Sequence, residues 1–357
     1  MTERLDEDVA AGRLTAVQAG LRAALARMPA TRALADAPLV PLRDKGLAHD
    51  HIRLEGTGWL ARVPKQSQMD LPAAENLAYQ EACFRRAAPS GHVPRLLAVL
   101  PPGEGLAQGA LLVEEIVGRP ARLPHDLPAI ARALGAIHAL SHPPATAPLL
   151  APADPLAAMR DEVAAQGAFL AEARLDRSVR ARVERELSGL MALCAAPARP
   201  ATTLICFDAH PGNYLVRADG VAVLVDLEKG RYGAPSLDLA HATNYTSTTW
   251  DVDSHAVLTV DEIAAFHAAW AAVPGVPDAN GWHGGLRRAM WLWAVTWCAK
   301  WRVLSAGPRR EEGEDWSTEA SDGALIAHVR DRVDHYLAPA TVERCLAEFA
   351  ALEARWS

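Results

Sequence analysis

Phe207-Asp208-Ala209-His210-Pro211-Gly212-Asn213-Tyr214-Leu215-Val216 sets an aspartate and an asparagine on either side of a short Pro-Gly loop, just before an apolar run. Asp, Pro, Gly and Asn are all turn formers, so a plain turn accounts for this stretch taken alone. The residues that follow shift the balance. A second apolar run, Val221 to Val225, is joined to the first through Ala218-Asp219-Gly220, which reads as a hairpin turn, and it leads into Val225-Asp226-Leu227-Glu228. One hairpin therefore carries Asp208 and Asn213 at its entrance and two more carboxylates at its exit. Phosphoryl transfer needs this combination: metal ions that bridge phosphate oxygens and take oxygen ligands, and a group that orients the attacking hydroxyl and accepts its proton.

Working outward, the chain before the hairpin changes character twice. Leu14, Val17, Leu21, Ala24 and Leu25 share one helical face within residues 6 to 36, and Pro38 and Pro41 are expected to end that helix. Ile52, Leu54, Trp59, Ala61 and Val63 then read as two strands joined at Gly56-Thr57-Gly58. A helix over 73 to 88 and strands over Leu96 to Leu100 and Ala110 to Ile116 complete a sheet with one helix. After Gly118 the pattern is mainly helical, over Leu127 to Leu140, Pro155 to Leu193 and again 258 to 357, with a β island from Thr203 to Asp226 between. Trp293, Trp297 and Trp301 fall on one helix face, the pattern of a buried core helix.

Bulk properties exclude several classes. The 357 residues are 50% apolar and carry a formal charge of -7, so a large core is expected and no basic stripe for nucleic acid. No apolar run nears the roughly 18 residues of a membrane span. Thr2-Glu3-Arg4 does not open a signal peptide. Five scattered cysteines, none spaced as C-x-x-C, point to reduced thiols and a cytoplasmic protein. No obligate protein partner is evident.

The hairpin residues resemble the catalytic segment of the aminoglycoside phosphotransferase family, which shares its fold with choline kinases and, more distantly, protein kinases. The family's loop reads His-Gly-Asp, then three or four residues, then Asn; here it is Cys206-Phe207-Asp208 and Asn213. The resemblance covers about residues 46 to 245. It implies an α+β, bilobal protein-kinase-like fold with a small antiparallel-sheet N-lobe and a large, mainly helical C-lobe. The expected divisions are a helical extension at 1–45, the N-lobe at 46–116 and the C-lobe at 117–357. It implies ATP and Mg2+ as cofactors and a small-molecule acceptor, with Asp208 as catalytic base and Asn213, Asp226 and Glu228 around the metal. Asp238, in Gly233-Ala234-Pro235-Ser236-Leu237-Asp238-Leu239-Ala240, would be structural and bond back to the loop. His138 would be structural too.

Gly46 to His51 occupies the place of the phosphate-covering loop, though it is not glycine-rich. Arg62, opposite Ala61 in strand alternation, or Lys65 beyond Pro64, would supply the phosphate-binding cation, held by Glu81 or, second, Glu75. Glu114 and Ile116 lie in the hinge whose backbone would bind adenine.

Two other readings stand beside this one. A nucleotide-binding relative with weak or no catalysis is motivated by Cys206 and Phe207, which replace His and Gly. A metal-dependent hydrolase would use Asp208, His210 and Asp226, with Asp238 and His241. Asp251, Asp253, Glu314 and Asp315 are read as either lining a pocket for a cationic acceptor or as solvated loop charges.

Overall fold

The computed structural model describes residues 2–42, 46, 48–307, 316 and 323–356, with side chains from Gly12 on. Leu47, Glu314 and Asp315 lie outside the described residues. The chain forms two units: Met1–Arg85 with Pro94–Ile116 and Leu304–Arg330, and Arg86–Val93 with Val117–Val303 and Asp331–Ser357.

The first unit is an antiparallel sheet with a helix against it. Its strands are β1 (Leu39–Pro41), β2 (His49–Leu54), β3 (Trp59–Pro64), β4 (Leu96–Leu100) and β5 (Ala110–Glu114), in the order β1-β2-β3-β5-β4. The β2–β3 hairpin turns where both Gly56 and Gly58 adopt φ of 75°. Strand alternation buries Ile52, Leu54, Ala61 and Val63 on the face that receives Leu21 and Leu25 of α1 (Thr2–Arg27). A second helix, α2 (Ala73–Ala87), carries Glu81.

Two expectations fail here. α1 ends at Arg27, well before Pro38; the Thr31 hydroxyl donates to the Leu25 carbonyl (2.9 Å) and closes the helix end. The prolines flank a strand instead. β1 pairs with β2, Leu39 opposite Leu54 and Pro41 opposite Ile52, on the sheet edge where a residue without an N–H is tolerated. Residues 1–45 are thus not a separate helical extension but part of the sheet unit, tied in further by Arg13 to Asp50 (2.6 Å) and by Gln18 to the Leu39 carbonyl (2.9 Å).

α1 meets the 101–109 turn without a spacer. A Cβ on Gly20 would sit 2.2 Å from the Gly105 carbonyl oxygen, with backbone on both sides and no flexible chain to yield. Alanine gains about 1 kcal/mol in helix propensity, but the overlap reverses the sign. Gly20→Ala is expected to destabilise by about 1–3 kcal/mol in urea unfolding; equal or greater stability would mean the contact is loose.

The second unit comprises β6 (Arg119–Pro120), α3 (Leu127–His138), α4 (Pro155–Gly167), α5 (Arg177–Ala195), β7 (Thr203–Ile205), β8 (Tyr214–Val216), β9 (Ala222–Leu224), β10 (Arg231–Gly233), α6 (Pro235–Thr243), α7 (Tyr245–Thr248), α8 (Val260–Ala271) and α9 (His283–Leu304). The chain closes with α10 (Gly323–Tyr336) and α11 (Pro339–Trp356). β6-β8-β9 form one small sheet and β7-β10 another. Residues 86–93 join this unit through His92, whose ring Nδ1 and backbone carbonyl bond to Ala222 and Leu224 (both 2.8 Å).

Arg287 is the polar lock of the helical core. It is 1% exposed and donates to the Thr243 hydroxyl (2.8 Å), the Thr243 carbonyl (2.9 Å) and Glu348 (2.6 Å), so α9 ties the end of α6 to α11. Trp293 and Trp301 are buried, as the helical spacing predicts, and Trp291, off that face, is buried too. Trp297 is half-buried and meets Trp250 edge-on (5.8 Å).

Candidate active site

The loop between β7 and β8 places Asp208 and Asn213 at one spot, and its backbone is held from beneath. Asp238 on α6 is fully buried and accepts from the backbone N–H of Cys206 (2.7 Å, Oδ2) and of Phe207 (2.8 Å, Oδ1). His138 Nε2 also meets Oδ2 (3.0 Å). Trp270 donates its indole N–H to His138 Nδ1 (2.9 Å), so the imidazole proton is assigned to Nε2, where it points at Asp238. The chain Trp270–His138–Asp238 is therefore neutral at the imidazole and ends on two loop amides.

Phe207 explains how a residue other than glycine stands there. Its φ is 58°, in the left-handed region, which costs a non-glycine residue about 1–2 kcal/mol. Its ring is buried between the Arg231 guanidinium, 3.7 Å from the ring centroid, and the edge of Trp293 at 5.5 Å. Arg231 is itself paired with Glu162 of α4. These contacts offset the backbone strain.

Asp208 lies among three basic side chains. Lys229 Nζ is 2.7 Å from Oδ2, while His210 Nε2 and His241 Nδ1 each lie 3.9 Å from Oδ1. Burial alone would push the carboxyl pKa up; Lys229 and the two imidazoles outweigh it and hold Asp208 below the ordinary aspartate range. Burial also takes His241 down to about 4, so its ring is neutral at pH 7. Lys229 is pulled down by burial but raised on balance by Asp208, Glu228 and Asp226.

Asn213 donates its side-chain amide to the Asp208 carbonyl (2.9 Å), which leaves its Oδ1 without a partner among the described residues. The Val225 N–H donates to the Asn213 carbonyl (2.9 Å), so Asp226 follows immediately beside it at the end of β9. Asp226 is half-buried and Glu228 buried. This is a set of hard oxygen donors of the kind Mg2+ takes. Asp251 packs against the same loop: a Cβ on Gly212 would fall 2.7 Å from the Asp251 Cβ. Asp251 Oδ1 accepts from the N–H groups of Asp253 and Ser254 (2.8 and 3.0 Å).

In the sheet unit, Arg62 is 2% exposed on β3, with Nη1 3.3 Å from His51 Nε2 and its guanidinium 5.6 Å from the Phe84 ring centroid. Lys65 donates to the Gly46 carbonyl (3.1 Å). Glu81 does not hold Arg62: it pairs with Arg85 (2.7 Å), one turn along its own helix, because that partner is local and costs less chain ordering. The Glu114 carboxylate pairs with Arg95 (3.1 Å) and its N–H donates to the Arg95 carbonyl (2.8 Å); the Glu115 N–H donates to Gly58 (2.9 Å). Ile116 is the first hinge residue whose N–H has no backbone partner among the described residues.

Lys229 is what the sequence reading passed over. A lone lysine after Glu228 carries no spacing signal; its pairing with Asp208, 21 positions away, is created by the reversal between β9 and β10. Asp238, one of the carboxylates a hydrolytic metal site would need, is spent on the loop amides.

A small antiparallel-sheet unit, a mainly helical unit, and an Asp–Asn loop entering a hairpin that ends in Asp-x-Glu make up a protein-kinase-like fold. Residues 40–276 match the phosphotransferase enzyme family, and the chain belongs to that family. It is a phosphotransferase with an alcohol group as acceptor, a small-molecule kinase, which overturns the hydrolase alternative. Solved structures agree on the fold. A choline/ethanolamine kinase family protein from Mesorhizobium loti superposes with a TM-score of 0.59 at 20% identity, over 93% of this chain and 99% of that one. An aminoglycoside phosphotransferase from Alicyclobacillus acidocaldarius gives 0.51 at 18%, over 89% and 92%. A spectinomycin phosphotransferase in complex with ADP and spectinomycin gives 0.56 at 13%, over 87% and 92%. No curated protein matches the chain. Among the described residues no helix is long and apolar enough to cross a membrane.

Proposed function

We propose that the protein transfers the γ-phosphate of ATP to a hydroxyl of a small acceptor, with Asp208 as general base. The geometry at Asp208 carries the reading: an ionised carboxylate, on a loop anchored by Asp238, beside an asparagine whose amide is spent and whose oxygen is open. Asn213, Asp226 and Glu228 would hold Mg2+, which supplies charge neutralisation at the phosphate oxygens. Arg62 or Lys65 would meet the α- and β-phosphates, and the backbone at Glu114 and Ile116 the adenine edge. Given the N–H groups already engaged, the hinge donor falls to Ile116.

Asp208 then orients the hydroxyl and accepts its proton as the oxygen attacks in line. The solved relatives act on aminoglycosides, spectinomycin, and choline or ethanolamine by name, and these set the first panel. Magnesium-dependent ADP release by the purified protein with one of these acceptors, above an Asp208→Asn blank, is the test. Nucleotide binding with no ADP formed on any acceptor would favour the non-catalytic relative.

Asp226→Ala is expected to weaken ATP binding in the presence of magnesium at least tenfold, about 1.4 kcal/mol, and to leave magnesium-free binding unchanged. Titration calorimetry with and without the metal separates the two. Equal loss in both conditions would remove Asp226 from the metal site.

A further inference from the structure

We propose that Lys229 is a positioning residue for Asp208: it engages Oδ2 and so assigns Oδ1 as the atom that takes the acceptor's proton. The inference rests on the phosphotransfer reading above. Three observations carry it. The ion pair is short (2.7 Å) and largely withdrawn from solvent, at 13% and 16% side-chain exposure, where water competes little for either partner.

Lys229 is also held by a closed circuit. Its Nζ lies 5.4 Å from the Trp293 ring centroid. Trp293 donates its indole N–H to Glu162 (3.1 Å), Glu162 pairs with Arg231, and Arg231 Nε donates to the carbonyl of Lys229 itself (3.1 Å). A lysine present only to offset charge has no need of a circuit that fixes both its ends.

Finally, Oδ1 has no hydrogen-bond partner among the described residues: His210 and His241 lie 3.9 Å away, beyond hydrogen-bond reach, so its lone pairs are left for a hydroxyl. In the transfer, a bond forms between the acceptor oxygen and the γ-phosphorus. The bond from that phosphorus to the β–γ bridging oxygen breaks, and its electron pair leaves with ADP. The hydroxyl proton goes to Asp208 Oδ1.

The test has two arms. The chain has four lysines, so 15N-lysine labelling gives few side-chain ammonium signals. One, identified by its loss in Lys229→Arg, is expected to show slowed proton exchange in the wild type and to lose that protection in Asp208→Asn. No protected ammonium in the wild type overturns the proposal whether or not an acceptor is known.

The second arm is a double-mutant cycle on ADP release with the acceptor found in the panel. Lys229→Met is expected to lower kcat about 100-fold with the KM for ATP little changed, and Lys229→Arg to recover most of that loss. In the Asp208→Asn background, Lys229→Met is expected to cost nothing further. A loss that multiplies in that background overturns the proposal, and melting curves of each variant separate it from misfolding. If no acceptor supports turnover by the wild type, the phosphotransfer reading fails, and the ammonium signal still decides the pair.

Discussion

Asp208→Asn lowers turnover about 10³-fold and leaves ATP affinity nearly intact; that is the expected result of the largest single change at this site. The amide keeps the size and the loop position of the carboxylate. It cannot take a proton, and it leaves the largely enclosed Lys229 beside a neutral group. The loop itself stays anchored, because the Asp238 bonds go to the backbone of Cys206 and Phe207 and not to the Asp208 side chain. Steady-state ADP release against ATP binding by calorimetry reads the split. Turnover at the wild-type rate would remove Asp208 from the base role. An equal fall in ATP affinity would mean that the carboxylate acts on the nucleotide.

The second large effect is structural and lies one layer below. Asp238→Ala strips the acceptor from two backbone N–H groups and from His138 in a fully buried site. Each buried donor left unsatisfied in this way costs about 1–3 kcal/mol. Urea unfolding is expected to show that loss together with loss of turnover, since these bonds hold the backbone that leads into Asp208. Asp238→Asn tests the account more sharply. Both carboxylate oxygens accept from donors, so an amide must turn its own N–H₂ toward one of them, and the conservative change is expected to cost nearly as much as alanine. Near wild-type stability in the asparagine variant would show that one of the two contacts is dispensable.

What the sequence made legible was what is local. The β8–β9 hairpin, its turn and the residues at its two ends fall within about twenty positions, so spacing and turn chemistry place them together. The β2–β3 hairpin and α2 were legible for the same reason. β1 was not: three residues containing a proline carry no strand pattern, and only pairing with β2 makes them one. The partner of Glu81 was misjudged because a helix neighbour at i+4 always competes with a distant cation. Lys229, Trp293, Glu162 and Arg231 meet from three separate stretches of chain, and no periodicity announces such a meeting.

Phe207 also bears on which substitutions this chain can accept one at a time. Glycine suits the left-handed backbone at that position, so placing it there looks like an improvement. Phe207→Gly, however, empties the space between Arg231 and Trp293 and strips the Arg231–Glu162 pair of the ring it stacks on. The benefit of glycine is now conditional on changes at residues 231, 293 and 162 that would have to come with it. Residues 207, 231, 293 and 162 therefore behave as one interdependent set, in which the effect of a change at any one is set by the other three.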